Sequence, residues 1–410
     1  MKILLGGIPL GCDNIGDEAI IASVVRMLKE SVPGVELTVA TADESTAGLL
    51  GVNVVPPFGF AGRGLEGFAD AVRAHDAYVW CGATGLSDYP HVALDLLAMA
   101  QSSGVATFVW GVGMDDELNP VFFKAHGKKR LLLGLFGMVG WYERRLRERL
   151  RRRIAAILPR CKGVWLRDPQ SAAMLASLGF PHAAVAADSA ILLAGTMVGG
   201  RGATALPGAT TLPGTTTISG ATAIPDGAGR AGSPLPAATT ALPTLGLCIS
   251  TQRQVANLAG VRGLIAAVRD SGARVLGIPM NPKTDRALLE SLGVECIAGS
   301  TPDAVMEAAS KCAVVLSSRL HLLILAANVG TPGLGIARGS KLANWLANFN
   351  RTVEGSVYDC DWRQVTDHVL AALHDRGDWD AVRAAAYAKL TARLETSRRE
   401  FVGALETCHA

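Results

Sequence analysis

Lys2-Ile3-Leu4-Leu5-Gly6-Gly7-Ile8-Pro9-Leu10-Gly11-Cys12-Asp13-Asn14-Ile15-Gly16-Asp17-Glu18 begins as a short aliphatic run, passes through a glycine-rich turn and ends on two acids. An aliphatic run without polar alternation suits a strand covered on both faces. Glycines let the chain turn sharply and let backbone N–H groups approach an anion. Asp17 and Glu18 then fit the first turn of a helix, where their charge complements the dipole. Strand, turn and helix in this order open a parallel βαβ unit. The turn is neither a dinucleotide fingerprint nor a P-loop, since G-x-G-x-x-G spacing is absent and no Gly-Lys-Ser/Thr follows.

The same alternation continues outward. Residues 2–5, 36–40, 77–80, 106–110 and 163–166 read as strands, with helices around 17–32, 65–74, 92–102 and 169–178. It restarts after an interruption, with strands at 245–250, 274–278, 313–317 and 333–336 and helices near 255–270, 284–292, 302–309 and 320–328. The reading is an α/β protein of two Rossmann-like domains, 1–198 and 245–410, facing across a cleft. A length of 410 residues fits two cores better than one. The helical stretch 379–408 is expected to pack back across the first domain.

The interruption, 199–244, is built almost wholly of Gly, Ala, Thr, Pro and Leu. It carries a six-residue repeat: GATALP from Gly202, GATTLP from Gly208, GTTTIS from Gly214 and GATAIP from Gly220. Four hexads complete little more than one coil of a β-helix, too little to bury a core. A low-complexity insert or linker is therefore expected. A second unusual stretch, 142–154, places Leu146, Leu150 and Ile154 at helical spacing among many arginines. Such a narrow apolar stripe suits peripheral contact with an anionic membrane, or a solvated helix laced by Glu143 and Glu148.

Composition narrows the function. Hydrophobic residues make up 49% and charged residues 18%, as in a well-buried α/β protein. A formal net charge of +3 gives no basis for broad nucleic-acid binding. The eight cysteines are scattered without C-x-x-C pairs, which argues for free thiols and against a metal site. No signal-peptide pattern follows Met1, and the longest apolar stretches are too short or too charged to span a bilayer. A soluble, cytoplasmic protein is expected.

Several motifs, in order, resemble one family. Asp13-Asn14-Ile15-Gly16-Asp17-Glu18-Ala19-Ile20 is similar to the opening of the polysaccharide pyruvyl transferases, and Ser318-Arg319-Leu320-His321 with the apolar run that follows is similar to their second hallmark. Between them, Val164-Trp165-Leu166-Arg167-Asp168 resembles the family's strand-end Arg-Asp, and Ala187-Asp188-Ser189-Ala190 its Asp-Pro-Ala. Gly335-Ile336 and then Lys341 follow where the family has a strand and a lysine. The chain departs from the pattern at Trp80-Cys81-Gly82-Ala83-Thr84-Gly85, at Trp110-Gly111-Val112-Gly113-Met114, and at Ser189, where the family has Pro.

The resemblance implies a GT-B-like fold and a transferase moving pyruvate from phosphoenolpyruvate to sugar hydroxyls of a cell-surface polysaccharide or its lipid-linked precursor. It implies no cofactor beyond that donor and no metal. His321 would be the general acid or base, with Asp13 and Asp17 accepting hydroxyl protons. Arg167, Arg319 and Lys341 would bind the donor's carboxylate and phosphate, with Asn14 and Gly16 in the same pocket. Read without the family, Arg167-Asp168 could be a helix cap beside an exposed charge, and the Ser-Arg-Leu-His turn a second cap. Two other functions share this architecture: a nucleotide-sugar glycosyltransferase, and a glycan-binding relative without turnover.

Overall fold

The computed structural model describes residues 1–8, 10–44, 48, 50–194, 242–250 and 258–409. Almost all of the expected insert, 199–244, lies outside the described residues. The first sheet is parallel and seven-stranded, in the order β3-β2-β1-β4-β5-β6-β7. Its strands are β1 (Lys2–Gly6), β2 (Glu36–Ala40), β3 (Asn53–Val55), β4 (Ala77–Cys81), β5 (Ala106–Val112), β6 (Gly163–Leu166) and β7 (Ala184–Val185). The second, also parallel, has the order β12-β11-β10-β8-β9. It comprises β8 (Thr244–Cys248), β9 (Arg274–Gly277), β10 (Val314–Ser317), β11 (Gly333–Ala337) and β12 (Gly355–Ser356).

β4, Ala77-Tyr78-Val79-Trp80-Cys81, is buried at every position, as a central strand covered by helices on both faces must be. In each sheet the strand order reverses at one point, between β1 and β4 and between β8 and β10. Open α/β sheets leave a crevice at such a point, beyond the carboxyl ends of the strands. The Ile15–Ser31 helix starts just past β1, and the Leu320–Asn328 helix just past β10.

The two halves share a core. Leu322, Leu323 and Leu325 pack in one buried cluster with Ile15, Ile20, Val24 and Ile191. Polar ties cross the same boundary: Ile15 N–H donates to Met280 O (3.1 Å), and Asn328 Nδ2 to Ala190 O (2.8 Å). The Trp379–His409 helix spans both sheets, about 46 Å at 1.5 Å per residue. Near its start Trp379 Nε1 donates to Gly330 O, and near its end Phe401 stacks on Trp110 at 4.8 Å while Glu400 accepts from Trp165 Nε1.

The basic stretch 142–154 lies within the Val139–Ile157 helix, and its apolar stripe is already in use. Leu150 and Ile154 are buried against Leu94, Leu97 and Leu158, with Leu146 partly buried beside them. Glu148 pairs with Arg151 (2.7 Å) and Arg152 (3.2 Å). This stripe therefore faces the protein interior, where it is not available to lipid.

Candidate functional site

A cleft of about 520 Å³ opens between the two domains. Of the eight candidates named from sequence, Asn14, Asp17, Arg167, Arg319, His321 and Lys341 line it. Asn14 immediately precedes the Ile15–Ser31 helix, Asp17 lies on its first turn, and Arg167 follows β6. Arg319 and His321 stand at the opening of the Leu320–Asn328 helix after β10, and Lys341 at that of the Ser340–Ala347 helix after β11. Tertiary structure thus brings together residues more than 150 positions apart.

His321 is the hinge of the arrangement. Its Nε2 lies 3.5 Å from Asp188 Oδ2, close enough for ion pairing but at the outer limit of a hydrogen bond. The buried Nε2 has no closer partner among the described residues. The other edge of the ring rests on Gly16. A Cβ added at Gly16 would sit 2.9 Å from the Cβ of His321 and closer still to its Nδ1 and Cγ. Gly16 therefore acts as the floor beneath the imidazole, and it does not itself line the cleft.

Asp188 serves three partners. Its Oδ1 accepts from Ala190 N–H (3.0 Å), and its Oδ2 lies 3.4 Å from Arg167 NH1 as well as near His321. Burial works against ionisation, but His321, Arg167 and the Ala190 N–H together hold the carboxyl below its ordinary range. Arg167 is itself buried, and also lies 3.4 Å from Asp168. Asp168 caps the Pro169–Ser177 helix, its Oδ1 accepting from Ser171 N–H at 2.7 Å. The cap read from sequence exists, while the arginine beside it is buried against the cleft. Space for its guanidinium comes from Gly113, where a Cβ would collide with it.

Asp17 is 4% exposed and takes a 2.6 Å hydrogen bond from Asn14 Nδ2. Burial pushes its carboxyl up to about 6, against the opposing pull of His321, Asn14 and Lys341. Glu18, pushed up to about 7 by burial and by Asp43, Asp17 and Asp13, does not line the cleft. Burial pushes the Lys341 ammonium down to about 8, with Arg338 and Arg167 adding to the effect and Asp88 and Asp115 resisting it. A carboxylate near 6 and an amine near 8 suit proton acceptance and anion binding around neutrality.

Besides Gly16, which lies under His321 and not in the pocket, two expectations need correcting. Asp13 has φ +58°, which carries its side chain to the rim, 2.6 Å from Lys283 Nζ of the second domain. It does not line the cleft. Arg319 lines the cleft, but its guanidinium grips the fully buried Asp285 with two bonds, 3.1 and 2.8 Å. That bidentate pair positions the turn carrying His321 and largely neutralises the charge assigned to the donor. Sequence reading missed Asp285, and it missed the clasp between the two domains in which Asp115 accepts from Ser340 N–H (2.6 Å) and Oγ (3.0 Å). Gly339, directly before, leaves room for that carboxylate.

The sequence matches the family model described as polysaccharide pyruvyl transferase over residues 14–217 and 250–340, most of the chain. The chain belongs to the polysaccharide pyruvyl transferase family. A transferase activity follows from that membership. Among curated proteins none gives a significant match. Solved structures share the fold at low identity. A UDP-GlcNAc 2-epimerase from Neisseria meningitidis bound to UDP-GlcNAc superposes with a TM-score of 0.51 at 10% identity, covering 99% of this chain and 100% of that one. The Anabaena protein HepE, in complex with UDP and glucose, gives 0.52 at 11% identity, with 99% of each chain covered. MnaA of S. aureus with UDP gives 0.52 at 10% identity, over 94% of this chain and 90% of that one. The GT-B-like architecture of two Rossmann-like domains is thereby established for this pyruvyl transferase family member.

The Asp17 carboxyl has a measurable cost. Its folded value of about 6 lies above the 3.8 of an unperturbed side chain, so the native state binds the proton more tightly. Stability must then fall as pH rises from about 4 to about 6 and stay reduced above, by on the order of 3 kcal/mol for two units. Asp17→Asn is expected to raise the urea midpoint at pH 7.5 and change it little at pH 4, while activity drops. Equal midpoint shifts at the two pH values would show that burial does not strain this carboxylate. In wild type, kcat/KM is expected to rise through about pH 6 and fall above about pH 8, the first limb disappearing in Asp17→Asn.

Proposed function

We propose that the protein transfers pyruvate from phosphoenolpyruvate to a pair of hydroxyls on a sugar acceptor, forming a ketal. The supporting observation is the meeting of Arg167, Lys341, His321 and Asp17 on one cleft from opposite domains. Phosphoenolpyruvate brings a carboxylate and a phosphate, and Arg167 and Lys341 supply cations for both. In the first half-reaction protonated His321 gives its proton to the enol carbon, which becomes a methyl group. The adjacent carbon takes on oxocarbenium character, and a sugar hydroxyl attacks it while Asp17 accepts the hydroxyl proton. Phosphate then leaves with its C–O bond electrons as the second hydroxyl adds, and that hydroxyl's proton leaves on the phosphate. Each turnover yields one ketal and one inorganic phosphate. The acceptor is a polysaccharide of the cell surface or its lipid-linked precursor, acted on in the cytoplasm.

The test is incubation of the purified protein with phosphoenolpyruvate and a panel of glycans. Phosphate release with a product heavier by one pyruvate less one water supports the reading. Release of a nucleoside diphosphate from a nucleotide sugar, with phosphoenolpyruvate untouched, would instead assign a glycosyltransferase. Ligand binding with neither product would mark a glycan-binding relative. Arg167→Lys should raise the KM for phosphoenolpyruvate roughly 10–100-fold with a smaller change in kcat, since a point charge cannot reproduce the guanidinium fork. An unchanged KM would remove Arg167 from the donor site.

A further inference from the structure

Among the described residues, exposed large apolar side chains cluster on the hairpin before the basic helix. Within the Gly127–Leu135 helix no residue is buried. Leu131 is 73% exposed, Leu135 81% and Phe136 70%, with Leu132, Met138 and Trp141 also exposed beside them. Monomeric soluble proteins rarely present so many large apolar side chains together without a partner. The surrounding charge is equally one-sided. Residues 121–153 hold eleven basic and two acidic side chains, a surplus of nine, whereas the whole chain has a surplus of three. The rest of the protein is therefore net acidic by six.

Lys128, Lys129 and Arg130 occupy the first turn of the Gly127–Leu135 helix, which has no acidic residue there. Cations at a helix N-terminus oppose the dipole and cost local stability. An anionic surface reverses that cost. Among the described residues no helix is long and apolar enough to cross a membrane, so the segment can lie on a bilayer but not span it.

We infer that the exposed Leu131, Leu135 and Phe136 insert among the headgroups of an anionic bilayer while Lys128, Lys129, Arg130 and the arginines of the Val139–Ile157 helix hold its surface charge. The hairpin grows directly from the cleft. Phe122 lines the cleft, and both Phe122 and Phe123 pack on His91, at 5.4 and 5.7 Å. Docking by this hairpin sets the cleft mouth close to the membrane, within reach of an acceptor carried on a lipid. This surface is distinct from the buried stripe of Leu150 and Ile154.

Co-sedimentation with vesicles tests the inference in the absence of any substrate, so its outcome is independent of the proposed reaction. The full protein is expected to bind phosphatidylcholine vesicles containing phosphatidylglycerol in a salt-sensitive manner, and to bind pure phosphatidylcholine far more weakly. Leu131→Gln, Leu135→Gln and Phe136→Gln combined should lower partitioning by about 100-fold or more. The three side chains are exposed, so the melting temperature should hold, and Lys128→Glu with Lys129→Glu gives an independent loss by charge. Absence of wild-type binding to the anionic vesicles at low salt would overturn the inference. So would unchanged binding by the triple variant, or a wild-type dimer that the triple variant converts to monomer, which would assign the patch to a second copy of the chain.

Discussion

His321→Ala is expected to lower turnover by about 10²–10⁴-fold, the range for a general acid or base. The ring stands between two carboxylates of unlike state, Asp188 held ionised and Asp17 raised to about 6. Among the described residues its buried Nε2 has only the 3.5 Å contact to Asp188, so the imidazole is not committed to a structural hydrogen bond. Single-turnover phosphate release from phosphoenolpyruvate measures the chemical step directly. If His321 served only to pack against Gly16, the variant would lose melting temperature and keep its rate. A turnover within a few-fold of wild type would therefore withdraw the catalytic assignment and leave the fold untouched.

Gly16→Ala is the second large effect, expected to cost about 10²-fold in kcat with little change in donor KM. Alanine is a better helix former than glycine by about 1 kcal/mol, so local propensity favours the substitution. The loss comes from space: the new methyl would overlap Nδ1 and Cγ of His321, across the domain boundary. Either the ring swings off its position or the two domains separate slightly. Both move the proton donor relative to the donor substrate bound at Arg167. The double variant Gly16→Ala with His321→Ala should be no slower than His321→Ala alone, because the glycine acts through the histidine. Additive losses would give Gly16 a role of its own.

The central strands were legible in the sequence because burial on both faces writes an unbroken aliphatic run. β1, β2, β4, β5 and β6 start where the runs at 2, 36, 77, 106 and 163 start. The missed strands β3, β7 and β12 have two or three residues each and lie at sheet edges, where little apolar surface is covered. Within the cleft, motif residues stood out because their spacing along the chain is fixed by strand ends. Asp285 carried no such mark: an acid in the first turn of a helix reads as a dipole partner, and only folding brings it 34 positions along the chain to Arg319. Asp13 misled for the opposite reason. It shares a turn with Asp17, but a left-handed backbone at Asp13 sends the two side chains to different places. The Leu146, Leu150 and Ile154 stripe was visible, yet periodicity alone cannot say whether protein or lipid covers it.

The Trp379–His409 helix bears on how such a cleft can close. Pinned to Gly330 and Ala327 at one end and to Trp165, Trp110 and Ser31 at the other, it is a rigid rod fixed to both lobes. A rod of constant length forbids the wide gape of two bodies joined by a floppy strand. What remains is a small roll of one lobe about the rod's long axis, with side chains sliding by fractions of an ångström at its two anchors. On this geometry the expected opening motion is torsional, so substrate entry should depend on how far the rod lets one lobe rotate.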